Sequence, residues 1–225
     1  SLAGGSPRIS GPDDPAREKT LQTLRRAAQR DESAPRKPRP SAGRATADMP
    51  PADAAWLLGL LALHGLAMPT DLPQAQHWFE LAQMLGHPLA PSGLAWCQLV
   101  GCVGPPNPTA ALHWIALVRR ADYGLAKYLE WHASKALAPL VDSKTDPPGR
   151  DAGALAPPSS PVLQKLLVEA SRAGNAQASN ELGLEYLAAG NLEQALAEFN
   201  AASSRSEAAA ANANLLISRI KSGPI

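Results

Sequence analysis

The residues in this 225-residue sequence whose chemistry is easiest to name are five histidines and two cysteines. His77 and His113 each precede a tryptophan, and the dipeptides His77-Trp78 and His113-Trp114 stand 36 residues apart. Two histidines lack the third protein ligand that most zinc sites use. Their spacing therefore reads as polar surface positions beside a core tryptophan. The sequence contains no Gly-rich phosphate loop, no G-x-S-x-G and no H-E-x-x-H. Catalysis, a cofactor and a metal thus find no support in the motifs, and the chain reads as a non-enzyme. Cys97 and Cys102 are five apart, which on a continuous helix puts them on different sides of the axis. A bridge would need the helix to end between them, so two buried free thiols are the expectation.

The spacing of 36 extends well beyond the histidines. Ala54, Ala90 and Ala126 fall in step, as do Gly65 with Gly101 and Ala75 with Ala111. Self-similarity at this period marks stacked helix pairs, because one pair cannot bury its apolar face alone. The composition agrees. Apolar residues make up 45%, mostly Ala and Leu, which favours helix over strand. A net charge of +1 argues against a general nucleic-acid or membrane-surface binder. The apolar run Ala54 to Leu63 is far shorter than the roughly 20 residues of a membrane span. The chain opens on Ser1-Leu2 without a secretory signal and reads as a fragment or a processed form. That leaves cytoplasm and periplasm equally open. The weight of Ala, Pro and Arg fits a GC-rich bacterium.

Taken in order, residues 1–13 read as a disordered lead-in and 14–30 as a helix opened by Asp14-Pro15. Thr20, Leu24 and Ala27 on it match the spacing of the later second helices, as half of an incomplete repeat would. Residues 31–52 are rich in proline and show no hydrophobic period, which predicts a linker whose basic stretch Arg36 to Arg44 is either solvated or set against an acidic partner, the first being the commoner case. A repeat domain follows over 53–221. Its expected helices are 53–66 and 72–86, 89–101 and 107–121, 124–137 and 161–173, then 176–189 and 191–203. A last helix, 206–220, closes the stack, with Leu215, Leu216 and Ile220 covering its open apolar edge. A Pro/Gly/Asp/Ser-rich loop at 138–160 interrupts the third pair, and the next landmark alanine, Ala178, comes 52 residues after Ala126.

Ala178, Leu182, Gly183, Tyr186, Ala195, Phe199 and Ala202 resemble the tetratricopeptide signature. Ala54, Leu58, Gly59, Gly65, Ala75, Trp78, Phe79, Ala82 and Gly86 are more similar to the Sel1-like variant. The likeness runs over about residues 53–204 and departs from the pattern in the third unit. There Glu130 stands at the Leu58 position and Trp131 at the Gly59 position. Together with the period, the resemblance implies an all-α, right-handed α-solenoid, a superhelix of about four to five antiparallel helix pairs. It implies a peptide- or protein-binding adaptor without catalysis. Some members of the family pair cysteines once per repeat, and this chain does not.

In such superhelices certain first-helix positions face a concave groove. They correspond here to Trp56, Leu60, His64, Ser92, Trp96, Tyr128, His132 and Lys135, the candidate ligand-binding residues. His64 and His132 among them would make affinity titrate between about pH 5.5 and 7.5. Trp78, Trp114 and Phe199 fall at second-helix core positions. The expected partner is a protein or peptide bound by a monomer, with no nucleic acid and no direct membrane span. The competing reading is a structural or assembly subunit of a bacterial envelope complex, working through the solenoid's edge.

Overall fold

A computed structural model describes residues 14–30, 49–138 and 160–222. The expected lead-in, nearly all of the 31–52 linker and nearly all of the 138–160 loop lie outside the described residues. Among those described, the structure is all-α, with ten helices and no strand. They are α1 Pro15–Ala28, α2 Pro51–His64, α3 Leu72–Met84, α4 Ala90–Val100 and α5 Pro108–Val118, then α6 Tyr123–Leu137, α7 Pro161–Arg172, α8 Ala176–Ala188, α9 Leu192–Ala202 and α10 Glu207–Ser222.

Local signals set the ends. Asp14, Asp71, Asn107, Asp122, Ser160 and Asn175 each accept a hydrogen bond from a backbone N–H of the first turn that follows. Each satisfies one of the donors that a helix start leaves orphaned. Gly65 and Gly101 end α2 and α4 in the left-handed region, at φ 67° and 79°.

The helices gather into two compact units, Ser1–Pro106 and Asn107–Ile225. In the first, α1 packs on α2, α2 on α3 and α3 on α4, and α2 also reaches α4. In the second, each helix from α5 to α10 packs on the next, and α8 also reaches α10. Contacts to the next element and the next but one are what stacked helix hairpins produce. Helix α1 packs through buried Leu24 and Ala27, while Thr20 stays exposed, its hydroxyl donating to Ala16 O at 2.9 Å. Arg30 ties the end of α1 to the approach to α2 by donating to Met49 O at 2.7 Å.

The core is built from small residues set against large rings. Phe79 on α3 is fully buried, with Gly59 of α2 and Gly93 of α4 against its ring. A Cβ at Gly93 would lie 2.5 Å from ring carbons, so only glycine allows the approach. Gly183 of α8 and Phe199 of α9 repeat the arrangement in the second unit. Between them in sequence the sizes are exchanged. Trp131 takes the glycine position of α6, and Leu167 takes the phenylalanine position of α7; both are buried in one cluster with Leu166, Ala170, Ala178 and Leu182. The departure in the third unit thus puts the large ring on α6 and a smaller leucine on α7, inside one buried cluster.

Three expectations are corrected. Trp114 is only half-buried, because Ala111, Ile115 and Val118 form the buried face of α5 and Trp114 stands a residue off it. On α10, Ala209, Ala213 and Leu216 are buried, but Leu215 and Ile220 point outward at 61% and 52% exposure and cover nothing. Cys97 and Cys102 are bridged, not free. The helix does end between them: with Gly101 in the left-handed region, the N–H groups of Gly101 and Cys102 both donate to Cys97 O, at 2.9 and 3.0 Å. The two Cα atoms come within 4.9 Å, inside the disulfide range.

Candidate functional site

The candidate residues divide between the two units, and each unit is described by itself. In the first, Trp56 is half-buried and already engaged. Its ring stacks on His87 with centroids 5.0 Å apart and planes at 16°, and it tilts against Phe79 at 5.2 Å. His87 is held in turn. Its Nδ1 accepts the Leu89 N–H at 3.2 Å, and its Nε2 lies 3.6 Å from Asp53 Oδ1. Burial holds the imidazole below its usual pKa, with the Asp53 charge opposing. Leu60 and Trp96 are half-buried and His64 is exposed. Ser92 is removed from the surface set. It is buried, and its hydroxyl donates to Leu89 O at 2.7 Å, so it serves the start of α4.

In the second unit the structure brings Tyr128, His132 and Lys135 together, and it adds Trp131. Tyr128 stacks on Trp131 at 5.9 Å and 13° and meets the edge of His132 at 4.7 Å. Trp131 and His132 are 4.7 Å apart, edge to face, and the Lys135 ammonium stands 4.8 Å from the Trp131 ring centroid. That is a cation–π distance. Residues 128, 131, 132 and 135 share one face of α6 because they are three and four apart.

Burial shapes the electrostatics of this patch. It holds the Tyr128 phenol protonated, its pKa pushed up to about 12 with help from the Glu181 charge. It pushes His132 down to about 4, and the Lys135 charge adds to the shift. The Glu181 carboxyl is raised by burial, Lys135 opposing and Glu185 adding. At neutral pH the His132 ring is therefore uncharged, and the expected titration between pH 5.5 and 7.5 does not belong to it. The patch offers aromatic surface, one cation on its rim and a neighbouring carboxylate.

The sequence reading missed Trp131 as a member because that position is a small residue elsewhere, Gly59, Ala95 and Gly183. The three-and-four spacing with Tyr128, His132 and Lys135 was the signal. It also missed an open hollow of about 590 Å³ in the first unit, lined by Arg25, Gln29, Met68, Asp71, Gln74, His77 and Trp78. Arg25 there is paired with Glu18 at 3.4 Å, and Asp71 caps α3. His77 is exposed beside buried Trp78, as the spacing suggested. Among the described residues no three of His, Cys, Asp and Glu are grouped to hold a metal ion. Nor is any described helix long and apolar enough to cross a membrane.

No protein-family model and no curated protein matches the chain. Among solved structures, it is similar to a Sel1 repeat protein from Oxalobacter formigenes, at 17% identity and a TM-score of 0.46. That alignment covers 69% of this chain and 58% of the other. It is also similar to a protective antigen present in uropathogenic Escherichia coli strains that displays an SLR fold, at 18% identity and a TM-score of 0.47. There the alignment covers 72% of this chain and 32% of the antigen, so the chain spans less than two thirds of either structure.

Proposed function

We propose that the chain is a non-catalytic adaptor that binds a peptide or protein segment on the exposed faces of its first-in-pair helices. The observation that supports this is the patch of Tyr128, His132 and Lys135 on α6, backed from the core by the buried Trp131 ring. Stacked aromatic side chains supply large contact area at low rotamer cost, and a rim cation adds direction. A half-buried histidine that is uncharged at neutral pH and a phenol held protonated make a recognition surface rather than an acid–base pair near neutral pH. Trp96 and Trp56 are the corresponding half-buried groups of the first unit.

Capture from a lysate by the wild type and by Tyr128→Ala, Trp96→Ala and Trp56→Ala tests the reading. Loss of an aromatic anchor should weaken capture by roughly 2 kcal/mol or more while helix content is kept. Undiminished capture by all three folded variants would move the site off these helices. An assembly subunit working through its edge is the second reading, and exposed Leu215 and Ile220 on α10 favour it.

A further inference from the structure

Cys97 and Cys102 are the only two cysteines in the sequence, and the backbone brings their Cα atoms within 4.9 Å. Gly101 makes the turn that does so. A side chain there would meet the Gly104 carbonyl oxygen at 2.5 Å and crowd Pro106, so the fold-back from α4 into 101–106 is built around glycine. Both cysteines are buried, at 2% and 5% exposure. A catalytic or sensing dithiol needs one sulfur open to its reaction partner, and these are closed off. These 225 residues hold no third cysteine with which the bridge could reshuffle.

We propose that Cys97–Cys102 is a permanent staple of the working protein, and that the chain therefore acts in an oxidising compartment rather than in a thiol-reducing cytosol. Closure needs an external disulfide, carried by a protein or a small molecule. One cysteine thiolate attacks it to give a mixed disulfide and release one thiol. The other thiolate then attacks the mixed disulfide at the chain's own sulfur and releases the second thiol. Two electrons and two protons pass from the cysteines to the oxidant, which leaves as two thiols. Such bridges persist in periplasmic and extracellular settings and are rare where thiol reductants prevail. The inference is independent of which face binds a partner.

The test starts in the cells that make the protein. They are quenched in acid, and the intact chain is treated with a maleimide before and after reduction, then weighed. The expected result is no maleimide before reduction and two after it. One or two maleimides added before reduction would overturn the proposal.

A second measurement asks whether the bridge is a staple. Amide exchange is followed in the purified full chain, oxidised, and in the Cys97→Ala/Cys102→Ala variant. Exchange at the Gly101 and Cys102 positions should be faster in the variant by roughly tenfold to hundredfold, the scale of closing a short loop. Exchange in α2 and α3 should be unchanged. Equal rates at 101 and 102 would remove the structural role.

Discussion

His132 shows how far burial rewrites a residue whose type is plain in the sequence. A histidine on a proposed binding face suggests titration near neutrality. Half-buried between Tyr128 and Trp131, with Lys135 near it, this one prefers to stay neutral down to about pH 4. The consequence falls on stability instead. Unfolding frees the ring to take up a proton at its usual pKa near 6.5, so between about 6.5 and 4 the unfolded chain binds more protons. The contribution is whole above about pH 6.5 and is lost progressively as pH falls through that window. Tyr128 acts in the opposite direction: its stability contribution is lost as pH rises from about 10 toward 12. Urea unfolding at pH 7.0 and 4.5 checks the histidine. Carboxylates also weaken the fold at low pH, so the informative quantity is the difference between wild type and His132→Phe. The variant should lose less stability on acidification, and an equal loss in both would show that His132 carries no such burden.

At the scale of the element, the pairing of glycine with phenylalanine predicts which small change hurts most. In Gly183→Ala the new methyl would sit 2.5 Å from Phe199 Cε1. Alanine favours a helix over glycine by about 1 kcal/mol, but overpacking a closed core costs about 1–3 kcal/mol. Packing wins, and the variant should be less stable in a urea titration. Phe199→Leu alone should also destabilise, by removing buried ring. Together the two should cost less than their sum, because leucine opens the space the methyl needs. Strict additivity would count against the ring-to-glycine contact. The chain already shows a tolerated exchange of this kind in Trp131 and Leu167, far apart in sequence and buried in one cluster. That distance is why the third unit was hard to read: the position of Trp131 makes sense only beside a residue on the next helix. Helix ends were legible for the opposite reason. Asp14-Pro15 and Asp71 cap within their own first turns, so the information is local. The bridge was legible in part. Gly101 keeps step with Gly65, a helix terminus, and a helix that ends at Val100 leaves Cys102 free to turn back.

Across the whole chain, the period of 36 residues announced helix pairs because every pair must present the same small residues to its neighbour. The same periodicity placed the candidate site less evenly. Tyr128, His132 and Lys135 do converge, because spacing along one helix fixes a face. Ser92 does not, because its position relative to Ala90 says nothing of the helix start that engages its hydroxyl. The largest divergence is at α10. Its sequence looked like a cap, yet only part of its apolar residues turn inward, and Leu215 and Ile220 stand exposed. Two outward apolar side chains one turn and a residue apart are few for a lasting interface, which buries about 800 Å² on each partner. The full chain should therefore be a monomer by multi-angle light scattering at micromolar concentration. Leu215→Ser with Ile220→Ser should leave that mass unchanged and move stability by no more than about 0.5 kcal/mol for each site. An adaptor needs its aromatic face and not this edge, so the double variant should also capture a partner as the wild type does. A wild-type mass of two or more chains that falls to one in the double variant would reverse the order of the readings. The edge of α10 would then be the working surface, and assembly rather than peptide capture would be what the helical stack is for.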